Sequence, residues 1–458
     1  VPTPDKPPSY YEGLNHRLLA AVPPGPLRLL ECGCGAAALG AALKAADPSR
    51  VVCGAERDPH AAARAAGRLD RLYALDLERD ELPADAGPFD GLLFGDVLEH
   101  LADPLPVLRR LRRRLAPGGF VLASVPNAQH HSLVSDLLRA DFQYRPAGLL
   151  DETHLRFFTY ATALKLLLDA GFAPRVVDVT RVPAPDAFHA AAEPLLRHLG
   201  LNPSRTRGYL DAYQYVLRGD LLPDADAVDD DTAAPEPLSF AACVSDPATL
   251  EANLLASPGL RGGTPHEVIA LRTCASAADG LNAAVAQARH RLVVCLHQDV
   301  YLPSGWDRRL LRGWKLAEDR CGPLGVAGVY GTAMRGGQAV RAGHVVDRDR
   351  LLREGEPLPA PVEALDELLL VVPRDTPLRF DPALGFHLYG ADLCLQARRM
   401  GLQAVALDAV CFHHSRGVGL PPAFHDSARA FARKWADRLP VATPCAVIDD
   451  TWLGARPP

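Results

Sequence analysis

Residues 29–40 read LLECGCGAAALG, and this stretch decides how the first half of the chain is read. An apolar run (Leu27, Leu29, Leu30) ends in an acid, Glu31. Glycines follow at Gly33 and Gly35, and an alanine-rich, helix-like segment then carries Gly40. Glycine serves where a strand must turn sharply into a helix and let a ligand approach bare backbone. The helix N-terminus beyond it presents N–H groups without intrahelical partners, ready for a polar ligand. An ordinary tight turn leaves the same trace, so the flanking sequence has to decide.

Working outward, short apolar runs (RLLE, RVVCGAE, RLYALDLE, FDGLLFGD, GFVLASVP) alternate with Ala- and Arg-rich helical stretches, and PRVVDVTRV extends the pattern toward Gly219. Such alternation implies a parallel, doubly wound α/β sheet. The second run ends in Glu56, roughly 20 residues beyond the turn, where doubly wound folds place an acid for ribose hydroxyls. The third ends at Asp76-Leu77 and the fourth at Gly95-Asp96. Four successive strands thus deliver polar or acidic residues to their carboxyl ends, the edge at which such sheets bind ligands. A dinucleotide fits less well: its fingerprint wants glycine at the position of Ala38, and a pyrophosphate would be repelled by Glu31. A cofactor with a cationic, amino-acid-like end would be attracted by it. An NAD-dependent nucleotide-sugar-modifying enzyme remains the alternative for this half.

The chain has 458 residues, 48% hydrophobic and 23% charged, with a formal charge of −6, a length and composition that suit two or three globular domains. That charge, and the lack of any Lys/Arg-rich block, argue against nucleic acid as a partner. Ten cysteines without a CxxC pair point to free thiols in a reducing cytoplasm. No apolar run approaches the length of a membrane span and no signal-peptide pattern opens the sequence, which leaves peripheral membrane association open. Between Gly219 and Leu260 there is no Lys or Arg, while Asp220, Asp224, Asp226 and the run 229–231 crowd a Pro/Ala segment. This composition predicts a linker over 219–237, between a domain at 1–218 and a second α/β domain at 238–458.

The first half resembles the class I S-adenosylmethionine-dependent methyltransferases, in particular those that methylate hydroxyls in quinone and surface-glycan biosynthesis. The resemblance covers about residues 10–180 and rests on LLECGCG, VVCGAE, ALDLE, FDGLLFGDVLEHLADP and LAPGGFVLASVPN. It implies that Glu31, Gly33 and Gly35 border the methionine part of the cofactor, that Glu56 binds the ribose, that Asp76 and Leu77 meet the adenine, and that Asp96 lines the methyl-transfer mouth. The last glycine of the family's motif is replaced here by Ala37. A sugar hydroxyl needs a base, which adds about 10²–10⁴-fold. Candidates are His130 and His131 after the fifth strand, and His154 in LLDETHLRFFT, a segment like the one that caps the acceptor site in glycan-modifying members. His100, in the family's EH pair, is read as structural or lining.

In the second half, SFAACVS, HEVIALR, LVVCLHQDV, GVAGVYG, ELLLVVPR and QAVALDAVCFHH read as strands. The run 292–296 delivers Gln298 and Asp299 to its end, and another strand ends in His413-His414. A carboxylate and an imidazole from two strand ends can hold a divalent metal, manganese or magnesium, with substrate phosphates completing the shell. This half, over about 239–420, resembles the GT-A nucleotide-sugar glycosyltransferases, with HQD where that family has DxD. The resemblance implies that Asp299 binds the metal with His413 or His414, that Asp246, Arg272 and Gln298 lie near the nucleotide sugar, and that Asp392 in FHLYGADLCLQARRMG is the base of an inverting transfer. The sequence thus predicts a fused O-methyltransferase and metal-dependent glycosyltransferase acting on a glycan. Because HQD departs from DxD, a non-catalytic glycan-binding module is the alternative for the second half.

Overall fold

The computed structural model describes residues 6–454 except 231–232, 262, 273, 349, 355–356 and 416–419. Residues 231–232 of the expected linker therefore lie outside the described residues. The chain divides into two compact units, Val1–Asp226 and Ala227–Pro458.

Among the described residues the first unit is built on seven strands: β1 (Arg28–Cys32), β2 (Val51–Glu56), β3 (Arg71–Ala74), β4 (Phe89–Gly95), β5 (Leu115–Pro126), β6 (Phe172–Arg181) and β7 (Ala212–Leu221). They lie in the order β3-β2-β1-β4-β5-β7-β6. β1 pairs in parallel with β2 and β4, and its apolar residues are buried on both faces, as a central strand flanked by helices requires. Because β1 to β4 run the same way, their carboxyl ends share one edge.

β7 is antiparallel to both β5 and β6. The sequence pattern does not flag it, since AYQYVLRGDL mixes polar with apolar residues. It runs through Gly219, Asp220 and Leu221, the opening residues of the expected linker, and Asp220 accepts from Arg218 Nε at 2.8 Å and pairs with Arg175. That acid is a paired sheet residue, which moves the end of the first sheet beyond residue 218.

Among the described residues the second unit has thirteen strands in two larger sheets and a small hairpin apart from them. They are β8 (Ser239–Val244), β9 (Glu267–Arg272), β10 (Leu292–Leu296), β11 (Val300–Tyr301), β12 (Leu324–Gly328), β13 (Tyr330–Arg335), β14 (Gln338–Asp347), β15 (Arg350–Glu354), β16 (Ala360–Pro361), β17 (Ala364–Leu365), β18 (Leu369–Pro373), β19 (Gln403–Ala406) and β20 (Cys411–His413). One sheet has the order β16-β19-β12-β18-β10-β8-β9 and the other β11-β20-β14-β13-β17, with β15 on β14. β10 is buried along its whole length and runs parallel to β8, so its carboxyl end opens beside that of β8. The core beneath it holds Trp306 and Trp314, and Trp306 Nε1 donates to Ala409 O at 2.9 Å. QAVALDAVCFHH is two strands in different sheets: the chain turns between β19 and β20, where Asp408 pairs with the buried His344 at 2.9 Å. Among the described residues no helix is long and apolar enough to cross a membrane.

Candidate active sites

In the first unit the turn after β1 is held by backbone. Gly33 N and Cys34 N donate to Ala55 O at 2.8 and 3.1 Å. Gly33 and Gly35 have φ of +65° and +52°, and a Cβ on either would stand 2.8 Å from Val97 Cγ2 or Tyr11 O respectively. Ala37, where a last motif glycine would sit, caps the helix Ala38–Ala46 and still adopts φ 61°, a left-handed conformation that costs an alanine about 1–2 kcal/mol.

Around this turn the acids converge. Glu31 is buried, and its Oε2 accepts from Gly40 N at 2.9 Å. Burial pushes its carboxyl up to about 8, with Glu56 adding to the rise. The Glu56 carboxylate spans two loops, accepting from Gly35 N and from Asp58 N, each at 2.8 Å. Asp76 accepts from Glu78 N at 2.9 Å. Asp96 adopts φ 56°, an uncommon conformation outside glycine, and is held there by Ser124 Oγ at 3.0 Å and by Gln214 Nε2. Burial raises its carboxyl from the usual range. Glu31, Gly33, Gly35, Glu56, Asp76, Leu77 and Asp96 all line one cavity of about 1170 Å³.

The opposite wall comes from residues 6–15. Lys6 Nζ pairs with Asp151 at 2.9 Å, Tyr10 Oη meets His100 Nε2 at 3.3 Å, Tyr11 O accepts from Ala36 N at 3.0 Å, and Asn15 Nδ2 donates to Asp96 at 3.5 Å. Sequence reading gave this segment no role, since its signal is only that of a proline-rich start.

The three expected bases separate. His154 lines the cavity, with Nδ1 on Leu149 O at 3.1 Å, and burial lowers its pKa so that the ring is neutral at pH 7. His130 lies elsewhere: it is buried at the start of the helix His131–Leu138, with Nδ1 on Ser132 Oγ at 2.8 Å and Nε2 on Val182 O at 3.0 Å. His131 packs on His130 and Phe188. Neither is among the residues lining that cavity: both follow the fifth strand as anticipated, but His130 uses both ring nitrogens at the start of the 131–138 helix, while His131 Nε2 is buried without a hydrogen bond among the described residues.

In the second unit the pairing Val300↔His413 brings the turn after β10 against β20, and Asp347↔His413 sets β14 beside it. His297, Asp299 and His413 offer ligand atoms within 4.8 Å of one another. Asp299 Oδ1 and His413 Nε2 are 3.4 Å apart, and each is buried without a hydrogen bond among the described residues. Asp347 Oδ1 holds His413 Nδ1 at 2.9 Å, which orients the ring. Burial alone would lower the His413 pKa, but Asp299 and Asp347 outweigh it and raise it to about 10. Against its own burial, the same histidine holds the Asp299 carboxyl below the usual range.

His414 is not in the cluster. It lies just beyond the end of β20 and is exposed, and its backbone N–H donates to Asp299 O at 2.9 Å. His297, the residue that breaks the DxD pattern, takes the third place. Gln298 ties β10 to β8, its Oε1 accepting from Ser245 N and Asp246 N at 3.0 Å. Asp246 caps the helix Pro247–Ala252, and Arg272 is exposed at the end of β9.

Asp392 is placed differently from the expectation. It is 0% exposed. Its oxygens receive Trp435 Nε1 at 2.8 Å, Lys434 Nζ at 2.8 Å and Gln396 Nε2 at 2.7 Å. A carboxylate so enclosed has no path to an acceptor hydroxyl. Glu367 lies nearer the histidines: Tyr389 Oη is 3.5 Å from both Glu367 O and His297 Nε2, and Gly390 N donates to Glu367 Oε1 at 3.3 Å. Burial, then Asp366, pushes the Glu367 carboxyl up to about 8.

Residues 8–177 match the family model described as "Methyltransferase domain", and residues 239–426 the one described as "Glycosyltransferase like family". Over 178 residues the chain is 34% identical to the protein of ATP synthase subunits region ORF 6 of Fuscovulum blasticum, covering 36% of this chain and 70% of that one. It is 28% identical over 167 residues to the ubiquinone biosynthesis O-methyltransferase of Psychrobacter arcticus, covering 35% of this chain and 65% of the relative. A crystal structure of a methyltransferase dependent on S-adenosylmethionine from Aquifex aeolicus is similar at 14% identity and a TM-score of 0.31, covering 48% of this chain and 100% of that one.

Proposed function

Because the chain joins a member of the methyltransferase-domain family to a member of the glycosyltransferase-like family, we propose that it is a bifunctional enzyme of glycan biosynthesis. In this reading it O-methylates a sugar hydroxyl and transfers a sugar from a nucleotide-sugar donor with inversion.

What carries the reading is the cavity at the carboxyl edge of β1 to β4. Its residues fit S-adenosylmethionine: a glycine cradle that side chains would fill, and a buried acid, Glu31, whose ionisation a neighbouring cation would favour. When bound, that cosubstrate supplies a methyl group on a sulfonium. Glu31 and the Gly33–Gly35 turn then hold the aminoacyl end, Glu56 the ribose hydroxyls, and Asp76 and Leu77 the base. Asp96, His100 and His154 face the acceptor. Fixing two reactants in line is worth up to about 7–11 kcal/mol, and the neutral His154 ring is able to take up the acceptor's proton.

In the second unit His297, Asp299 and His413 fit a divalent cation, manganese or magnesium, because two of their ligand atoms are buried without hydrogen-bond partners and point at one spot. The cation would supply positive charge opposite a leaving diphosphate. Asp246, Gln298 and Arg272 would shape the nucleotide end. Glu367, near neutrality, suits the role of base better than Asp392. Ten free cysteines are consistent with a reducing, cytoplasmic setting. A joined chain would raise the effective concentration of one activity's product for the other.

The sealed Asp392 favours a second reading, in which the C-terminal half binds glycans without transferring sugar. One experiment addresses both. The full chain is incubated with a panel of nucleotide sugars, manganese, S-adenosylmethionine and glycan acceptors, and products are read by mass spectrometry. Methyl and glycosyl additions support the proposal and methylation alone supports the second reading; in parallel calorimetry with the two cofactors, NAD binding without S-adenosylmethionine binding overturns both.

A further inference from the structure

One buried carboxylate in the first unit is unused by this account. Glu99, in the turn Leu98–His100, is 1% exposed, and its Oε2 accepts no hydrogen bond from any described residue. An unpartnered buried acceptor is costly, and more so when charged. It is not isolated. Glu99, His100 and His154 offer ligand atoms that all lie within 4.8 Å of one another. The two rings meet edge to face with centroids 4.8 Å apart.

The histidines are held as metal ligands usually are. His154 Nδ1 lies 3.1 Å from Leu149 O, and His100 Nδ1 lies 3.1 Å from Thr153 O. A carbonyl can only accept, so each Nδ1 carries the proton and each Nε2 carries the lone pair, which on His100 meets Tyr10 Oη at 3.3 Å, a contact that an incoming ion would displace. Fixing the tautomer through a backbone carbonyl is the usual outer-shell device at histidine metal sites. Backbone bonds brace the pieces against each other: Leu155 N and Arg156 N both donate to Glu99 O, at 2.8 and 3.0 Å. Glu99, His100 and His154 also line the cavity, with Asp96 beside them.

We propose that Glu99, His100 and His154 bind a divalent first-row cation of the zinc, manganese or cobalt type in the wall of the first cavity. Two imidazoles and one carboxylate suit such ions better than calcium. Three protein ligands leave coordination positions open toward the cavity, where an acceptor oxygen would be held; with its Nε2 lone pair given to the ion, His154 would serve there as a ligand in place of a base, and the ion would ease loss of the acceptor's proton. That role for the ion rests on the methyl-transfer reading; its binding does not.

The test uses the full-length chain carrying Asp299→Asn and His413→Ala, which disables the cluster of the second unit. Cobalt(II) is titrated and its visible absorption recorded, with zinc competition as a second readout. One equivalent is expected in this background, weakened at least tenfold by Glu99→Gln and by His154→Gln tested separately. Circular dichroism and S-adenosylmethionine calorimetry serve as controls that each variant is folded. Failure of the parent to bind cobalt or zinc stoichiometrically overturns the proposal, as does unchanged binding in both folded variants. Stoichiometric, Glu99-dependent binding in a chain that neither binds S-adenosylmethionine nor transfers methyl groups upholds the site while refuting the methyl-transfer reading.

Discussion

Asp392→Asn separates a structural carboxylate from a catalytic one. The amide keeps the shape of the side chain and its bond from Trp435 Nε1, 2.8 Å in the parent, but removes the charge opposite Lys434, also 2.8 Å away. Breaking a buried ion pair costs about 3–5 kcal/mol. Lys434 has a side-chain exposure of 31% and keeps Asp381 at 2.6 Å, so the low end, about 3 kcal/mol, applies. In a unit of this size that corresponds to a fall in Tm of roughly 6–12 °C. The assay pairs thermal unfolding with initial rates of sugar transfer measured well below either transition. Transfer per folded molecule should stay within about fivefold of the parent, whereas loss of a base costs about 10²–10⁴-fold. Glu367→Gln should show the larger loss. A folded Asp392→Asn protein with unchanged Tm and transfer reduced a hundredfold would refute the reasoning.

Gly35→Ala places a Cβ 2.8 Å from Tyr11 O at a φ of +52°. Strain of about 1–2 kcal/mol together with displacement of the Tyr11 wall should weaken S-adenosylmethionine by tenfold or more in calorimetry. The Glu31 carboxyl is raised from 4.5 to about 8 on folding, so the folded state holds the extra proton between those values. Stability should therefore fall as pH rises through that window, by up to about 1.4 kcal/mol per pH unit, and level off above pH 8. Glu31→Gln should flatten that slope in urea titrations at pH 5.5 to 8. In the second unit, His297→Ala should abolish manganese-dependent transfer and lower manganese affinity, and His414→Ala should do neither. Stripping manganese with EDTA should mimic the first variant and be reversed by adding the metal back.

The cofactor residues singled out in the sequence of the first half share one cavity because their signals are local. A glycine turn and an acid at each strand end are set by covalent geometry and by the shared direction of β1 to β4, and all seven residues so identified line one cavity. What stayed hidden depends on side-chain direction. His413 and His414 are equal as text, but the last residue of β20 joins the cluster while the next, beyond the strand, is exposed. His130 sits at an eligible edge, yet Ser132 and Val182 occupy both its nitrogens. The enclosure of Asp392 comes from residues more than 40 positions downstream, |i−j| being 43 for Trp435 and 42 for Lys434, a contact no motif encodes. β7 escaped because its mixed polar and apolar residues lie between β5 and β6, partners that only the assembled fold supplies.

The wall formed by residues 6–15 also bears on timing. Its ties include the Ala36–Tyr11 backbone hydrogen bond, the ion pairs of Lys6 with Asp151 and Glu152, the Tyr10–His100 and Asn15–Asp96 contacts, and Arg64 over the Tyr11 ring. Local opening of this wall would widen the way into the first cavity without any hinge in the sheet. Residence time in that cavity then becomes a property of the segment's local stability. Loosening Lys6 would quicken release while leaving every carboxylate at the β1–β4 edge in place. The Ala36 amide, whose acceptor is Tyr11 O, becomes a built-in reporter: its hydrogen exchange counts the openings, and a bound ligand should slow that count.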